Sequence, residues 1–184
     1  MEFYNRFIEL VDANLIFVLI PVILTLMIVE SIFKNRFETK KTLNLIRWTI
    51  IAYAIFTWIT TIFGIAIYPV DSTFVNRATG PYGFAYWMML FGSLILPFTL
   101  LLKSWASKFW YVLFVAFCLK IGSYYERFVI MTTVLYRDYV PGNGNTEMAN
   151  SALSVVAMLI IQGVLIAILI LGVFEMTKKK KIGA

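Results

Sequence analysis

Five stretches of the chain are apolar over the length a bilayer demands. An α-helix rises about 1.5 Å per residue, so about 20 successive apolar residues cover the roughly 30 Å of hydrocarbon. Residues 14–33, NLIFVLIPVILTLMIVESIF, open the series. Residues 47–68, RWTIIAYAIFTWITTIFGIAIY, and 82–102, YGFAYWMMLFGSLILPFTLLL, follow, and then come 109–136 and 152–174. The pattern predicts an all-α integral membrane protein of five transmembrane helices, a four-helix bundle with one peripheral helix, forming a single domain over residues 1–184. Pro21 and Pro97 fall inside these spans and are expected to mark kinks.

Composition sharpens this picture by exclusion. At 61% apolar and 14% charged, the chain is far from the balance of a soluble globule, so its core is expected to face lipid. It has no histidine, which removes bis-histidine haem ligation, the usual zinc sites and imidazole general-base catalysis together. The single cysteine, Cys118, has no intrachain partner for a disulfide and cannot anchor an iron–sulfur cluster, so it reads as a packing residue. No catalytic residue, metal or cofactor is expected of this chain alone.

The net charge of +6 does not point to nucleic acid, because the basic residues lie in short segments between apolar runs. They read as topology signals. Lys34, Arg36, Lys40, Lys41 and Arg47 separate the first and second spans, Lys103 and Lys108 separate the third and fourth, and Lys178, Lys179, Lys180 and Lys181 end the chain. The other three connecting segments hold only Arg6, Arg77 and Arg137. Lysine and arginine favour the cytoplasmic side, so the N-terminus is expected outside and the lysine tail inside, which requires an odd number of crossings. Trp48, Trp105 and Trp110 then fall at the inner interface, and Tyr68, Tyr82, Tyr136 and Tyr139 at the outer one. The first span follows Glu2, Glu9 and Asp12 against Arg6, not a basic segment, and is expected to remain as a helix and not to be cleaved as a signal. The lysine tail is expected to be attracted to anionic membrane lipid.

Charges inside the spans are the candidate chemistry. The fourth span, FWYVLFVAFCLKIGSYYERFVIMTTVLY, contains Lys120, Glu126 and Arg127, and an intramembrane charge is costly unless paired or hydrated. On one continuous helix Lys120 would lie about 15 Å from Trp110, near the middle. Lys120, Tyr124 and Arg127 would share a face, with Glu126 turned about 100° from Arg127 and seeking a different neighbour. These four residues are candidates for a proton path or for interhelical polar contacts. Glu30 is expected to pair with Lys34 one turn later, and Glu175 to lie at an interface beside the lysine tail.

Two stretches carry a likeness to a known family. FVNRATGPYGFAYWMMLFGSLILPF, residues 74–98, has Asn76, Arg77, Gly80, Pro81 and Tyr82 in a loop before Tyr86 and Trp87. IGSYYERFVIMTTVLYRDYVP, residues 121–141, has Glu126, Arg127 and Phe128, then Arg137 and Asp138 ahead of Pro141. In order and spacing they resemble the second half of the NrfD-like, polysulfide-reductase membrane subunits, above all the form found in alternative complex III, a quinol-oxidising respiratory assembly.

That likeness covers one of the family's two helix bundles with a trailing helix. It implies a subunit of the bacterial inner membrane beside NrfD-like membrane subunits, with haem c and iron–sulfur clusters held by outer-side partners and quinone or quinol bound within the assembly. Asn76, Arg77, Arg137 and Asp138 become candidate docking residues for those partners. Tyr136 stands where the family has a histidine, and Ser93 and Phe98 where it has asparagine and glutamine. YAIFTWITTIFG lacks its carboxylate. These departures favour a structural or proton-path role over a complete quinol site. An independent small channel or transporter, using the same charged span, is the alternative from another class. A lipid- or isoprenoid-directed enzyme ranks last, for want of a metal motif or reactive cysteine.

Overall fold

The computed structural model describes residues 6, 11–34, 36–67, 79–80, 83–122, 124–125 and 144–182. Among these the chain is helical, without strands. The α-helices are α1 (Leu19–Phe33), α2 (Thr39–Ile67), α3 (Gly83–Leu90), α4 (Lys103–Ala106), α5 (Phe109–Leu119) and α6 (Gly144–Ile182). A π-helical turn, Asp12–Ile16, precedes α1, and α3 runs on through a π-helical turn, Phe91–Ile95, into a 3₁₀ segment, Leu96–Leu101. The chain divides into two compact units, Met1–Thr42 with Gly122–Ala184, and Leu43–Ile121.

Three described helical stretches are long and apolar enough to cross a membrane: Asn14–Phe33, Thr39–Thr60 and Ser154–Lys178. The third and fourth expected spans appear as the shorter apolar runs Tyr86–Leu101 and Phe109–Leu119. Residues 81–82, 123 and 126–143, which flank these runs, lie outside the described residues.

In the first unit α1 packs on α6. Leu19, Val22, Ile23 and Leu26 are buried on α1. On α6 Gly163, Ala167 and Leu171 are buried at i, i+4 and i+8, one stripe of the helix. A Cβ placed on Gly163 would lie 2.6 Å from Pro21 Cβ and 2.7 Å from its Cγ. The absence of a side chain is what lets the two backbones meet, the usual device of helix pairs in lipid, where apolar burial gives no advantage over lipid contact. Pro21 is the third residue of α1, so its missing N–H is one that the first turn leaves unbonded anyway. The kink expected inside a long helix is instead a boundary, formed by the π turn and the break at residues 17–18.

In the second unit the change of pitch follows from Pro97. It lacks the N–H that would continue the α-helical ladder. Upstream, the Leu96 N–H reaches back to Phe91 O, and beyond it the turns tighten to 3₁₀. The Leu94 carbonyl, at this change, accepts the indole N–H of Trp58 at 2.9 Å. A neighbouring helix thus supplies the bond, as broken membrane helices require. Gly92 lies close to α5: a Cβ there would meet the Cys118 carbonyl oxygen at 3.3 Å. Cys118 is buried at this contact and acts in packing.

Two boundaries depart from the sequence reading. α2 starts at Thr39, not 47, and α6 extends from Gly144 to Ile182 beyond both ends of 152–174. Polar turns lengthen a helix without lengthening its apolar run. Within the span expected over 109–136, the described residues are helical at 109–119, 121–122 and 124–125, with a turn at Lys120. α5 ends at Leu119, and Lys120 leaves the helical conformation at φ −119°, ψ 18°. A cation is favoured at the carbonyl end of a helix.

Candidate functional site

The polar side chains of the first unit gather where α1 ends, α2 begins and α6 approaches its end. The Thr39 hydroxyl, buried in the first turn of α2, donates to Glu30 Oε2. The Glu38 backbone N–H, just before that helix, donates to Glu175 Oε1 at 3.2 Å. The Glu38 carboxylate accepts Lys41 Nζ at 3.2 Å and Lys178 Nζ at 3.3 Å. Three carboxylates therefore surround the N-terminus of α2, where unbonded N–H groups and the helix dipole favour negative charge. The hydrogen bond from Lys41, then that from Lys178, holds the Glu38 carboxyl below the usual glutamate range. The cluster fastens three elements through side chains that sequence reasoning had assigned separately.

Glu30 is thus bound by Thr39 and not, as expected, by Lys34. Lys34 instead takes a left-handed conformation, φ 33°, at the end of α1, and lies exposed. Glu175 does lie beside the lysine-rich end, and its partner is the Glu38 backbone.

The second unit is different in charge. Its described residues include Arg47, Lys103, Lys108 and Lys120 but no aspartate or glutamate. Arg47 sits within α2 and is only 8% exposed. Its Nη1 donates to Asn44 Oδ1 at 3.2 Å and its Nη2 to Leu101 O at 3.3 Å, and its carbon Cζ lies 5.3 Å from the centre of the Trp48 ring. Its buried Nε–H has no acceptor. The sequence reading placed Arg47 in a connecting loop as a topology signal. The clue to its burial was the stripe Leu43, Ile46, Ile50 and Ala54, which carries the helical period upstream past Arg47.

Of the candidates named from sequence, Lys120 lies at the end of α5 with Nζ 5.1 Å from the centre of the Tyr53 ring, a cation–π distance. Tyr124 belongs to the other unit, where its ring meets Phe17 edge to face at 5.6 Å. Lys120 is a single turn residue between α5 and the helical residues 121–122 and 124–125, and Arg127, the last member of the face proposed with Lys120 and Tyr124, lies outside the described residues. Glu126 and Arg127, and the loop candidates Asn76, Arg77, Arg137 and Asp138, lie outside the described residues. Among the described residues no group of three or more histidine, cysteine, aspartate or glutamate side chains is arranged to hold a metal ion.

The apolar surface is the other feature of the molecule. Only 17% of the candidate span Ser154–Lys178 is buried, against 33% for Asn14–Phe33 and 39% for Thr39–Thr60. Met158, Ile161, Leu165, Leu169 and Met176 are all exposed along it. So large an apolar face is stable only against lipid tails or further helices. No protein-family model matches this chain, and neither a curated protein nor a solved structure is similar to it.

Proposed function

We propose that this chain is a cofactor-free membrane subunit of a quinol-oxidising respiratory electron-transfer complex, crossing the bacterial inner membrane five times with its lysine-rich end in the cytoplasm. The observation that carries the reading is the order and spacing of Asn76, Arg77, Gly80, Pro81 and Tyr82, and of Glu126, Arg127, Arg137 and Asp138, which resemble the NrfD-like subunits. The exposed apolar length of α6 supports it, since a subunit lodged among other membrane subunits needs such a face. In this reading the chain supports an NrfD-like, quinol-binding neighbour. Its outer loops meet subunits bearing haem c and iron–sulfur clusters, and Glu126, Arg127 and Lys120 lock a helix interface or line a proton route.

The test is mass spectrometry of all polypeptides that copurify with the chain from gently solubilised native membranes. Stoichiometric multihaem cytochrome, iron–sulfur and NrfD-like polypeptides are the expected result. Recovery of the chain alone, or only with copies of itself, would overturn the proposal and leave the channel or transporter as the better account.

A further inference from the structure

Arg47 presents an unsolved electrostatic problem within its unit. A guanidinium carries a full positive charge and five N–H donors in a fixed fork, and stays protonated when buried. Its two acceptors here are a neutral amide oxygen and the Leu101 carbonyl, at 3.2 Å and 3.3 Å. Charge-assisted bonds to an anion are shorter, about 2.7–2.9 Å. Leu101 ends the 3₁₀ segment, so its carbonyl adds a partial negative charge, but neither acceptor supplies a whole one. The Nε–H is unbonded, and no carboxylate pairs with the guanidinium among the described residues. No described residue supplies the neutralising anion.

The surroundings say which kind. Lys103 follows the Leu101 acceptor by two positions and is exposed, adding positive charge. Trp48, which packs on the guanidinium, and Trp105 on α4 are both large exposed indoles. Tryptophan with lysine and arginine around an apolar helix is the dress of a bilayer's headgroup level, where lipid phosphates lie. We infer that Arg47, with Asn44, Trp48 and Lys103 beside it, is the anchor of a site for the phosphate of an anionic phospholipid. The phosphate supplies the missing charge at the exposed edge of the guanidinium, the indoles pack on the glycerol and upper acyl region, and Lys103 favours a lipid of net negative charge over a zwitterionic one. The site rests on the membrane-spanning reading and not on membership of a respiratory complex. A chain that stays in solution without detergent would overturn both, whereas one recovered alone from membranes would overturn the complex and leave the site standing.

Native mass spectrometry of the full chain, released from nanodiscs of equal phosphatidylglycerol and phosphatidylcholine, tests it. The wild type is expected to retain one phosphatidylglycerol in preference to phosphatidylcholine. Arg47→Gln should weaken that retention about tenfold or more, Arg47→Lys by less, and Arg6→Gln, at an exposed arginine that is no part of the site, not at all. If Arg47→Gln loses helicity, the decision rests on Arg47→Lys and Asn44→Ala, both expected to weaken retention several-fold. Unchanged retention in a folded Arg47→Gln chain would overturn the proposal. Inorganic phosphate that binds the wild type as firmly as the lipid does, and is lost in Arg47→Gln, would assign the site to free phosphate and overturn the lipid assignment. An acidic polypeptide that displaces the lipid from native membranes would do the same in favour of a protein partner.

Discussion

The Gly163–Pro21 contact permits a quantitative test, because α6 contains its own control. In Gly163→Ala the new Cβ would sit 2.6 Å from Pro21 Cβ, 2.7 Å from its Cγ and 3.2 Å from its carbonyl carbon. Ordinary carbon contacts are about 3.5–4.0 Å, so the helices must separate by about 1 Å. A proline ring has no alternative rotamer to relieve the clash, and the third contact is backbone. Overpacking of this kind costs about 1–3 kcal/mol, offset by about 1 kcal/mol from the better helix propensity of alanine. The expected net loss is about 0–2 kcal/mol. At Gly172 an added Cβ meets nothing within 4 Å, so Gly172→Ala keeps only the propensity gain. Amide hydrogen exchange in micelles, read on peptides of α1 and α6, reports these local openings. Gly163→Ala should exchange up to about 30 times faster than wild type in both helices, and Gly172→Ala no faster. Protection in Gly163→Ala equal to or above that in Gly172→Ala would show that the close approach is not tight and that the glycine is not needed for packing.

Two further outcomes follow from particular bonds. The Glu38 carboxyl is held below its ordinary value by Lys41 and Lys178, so its contribution is fully present above the unfolded-state value and is lost as pH falls through the lower folded one. Exchange protection at the start of α2 and the end of α6 should therefore drop on acidification, by less in Glu38→Gln, and an identical pH profile in the two proteins would contradict the assignment. Trp58→Phe removes the donor to the Leu94 carbonyl and should cost about 1 kcal/mol, seen as faster exchange over residues 83–101. Unaltered protection there would mean that the carbonyl finds another donor.

The first span was legible to within a few residues, because its apolar run and its helical stretch coincide. α2 was misjudged at its start, since TLNLIR reads as connector by polarity although Leu43 and Ile46 continue the buried stripe. Polarity sets where a helix leaves lipid, and periodicity sets where it begins. The break at Lys120 was hidden because Gly122 in an apolar run is a weak signal, and a lysine reads equally as a buried charge or as a partner for helix-end carbonyls. The convergence of Glu30, Thr39, Glu38 and Glu175 could not be read, for it joins residues more than a hundred positions apart through tertiary packing. The i, i+4 pattern of Gly163 and Ala167 was a signal, unread in the sequence, of where α6 meets α1.

The length of α6 has a mechanical meaning. Its 39 residues make a rod of about 58 Å, with Gly163 against Pro21 as its fulcrum. From there the arm to Gly144 is about 28 Å and the arm to Lys178 about 22 Å. A sideways displacement at the Gly144 end is passed, only slightly reduced and reversed in direction, to the Lys178–Glu38 and Glu175–Glu38 bonds. Anything that docks at one extremity of this lever is felt at the start of α2 without a change of fold between them.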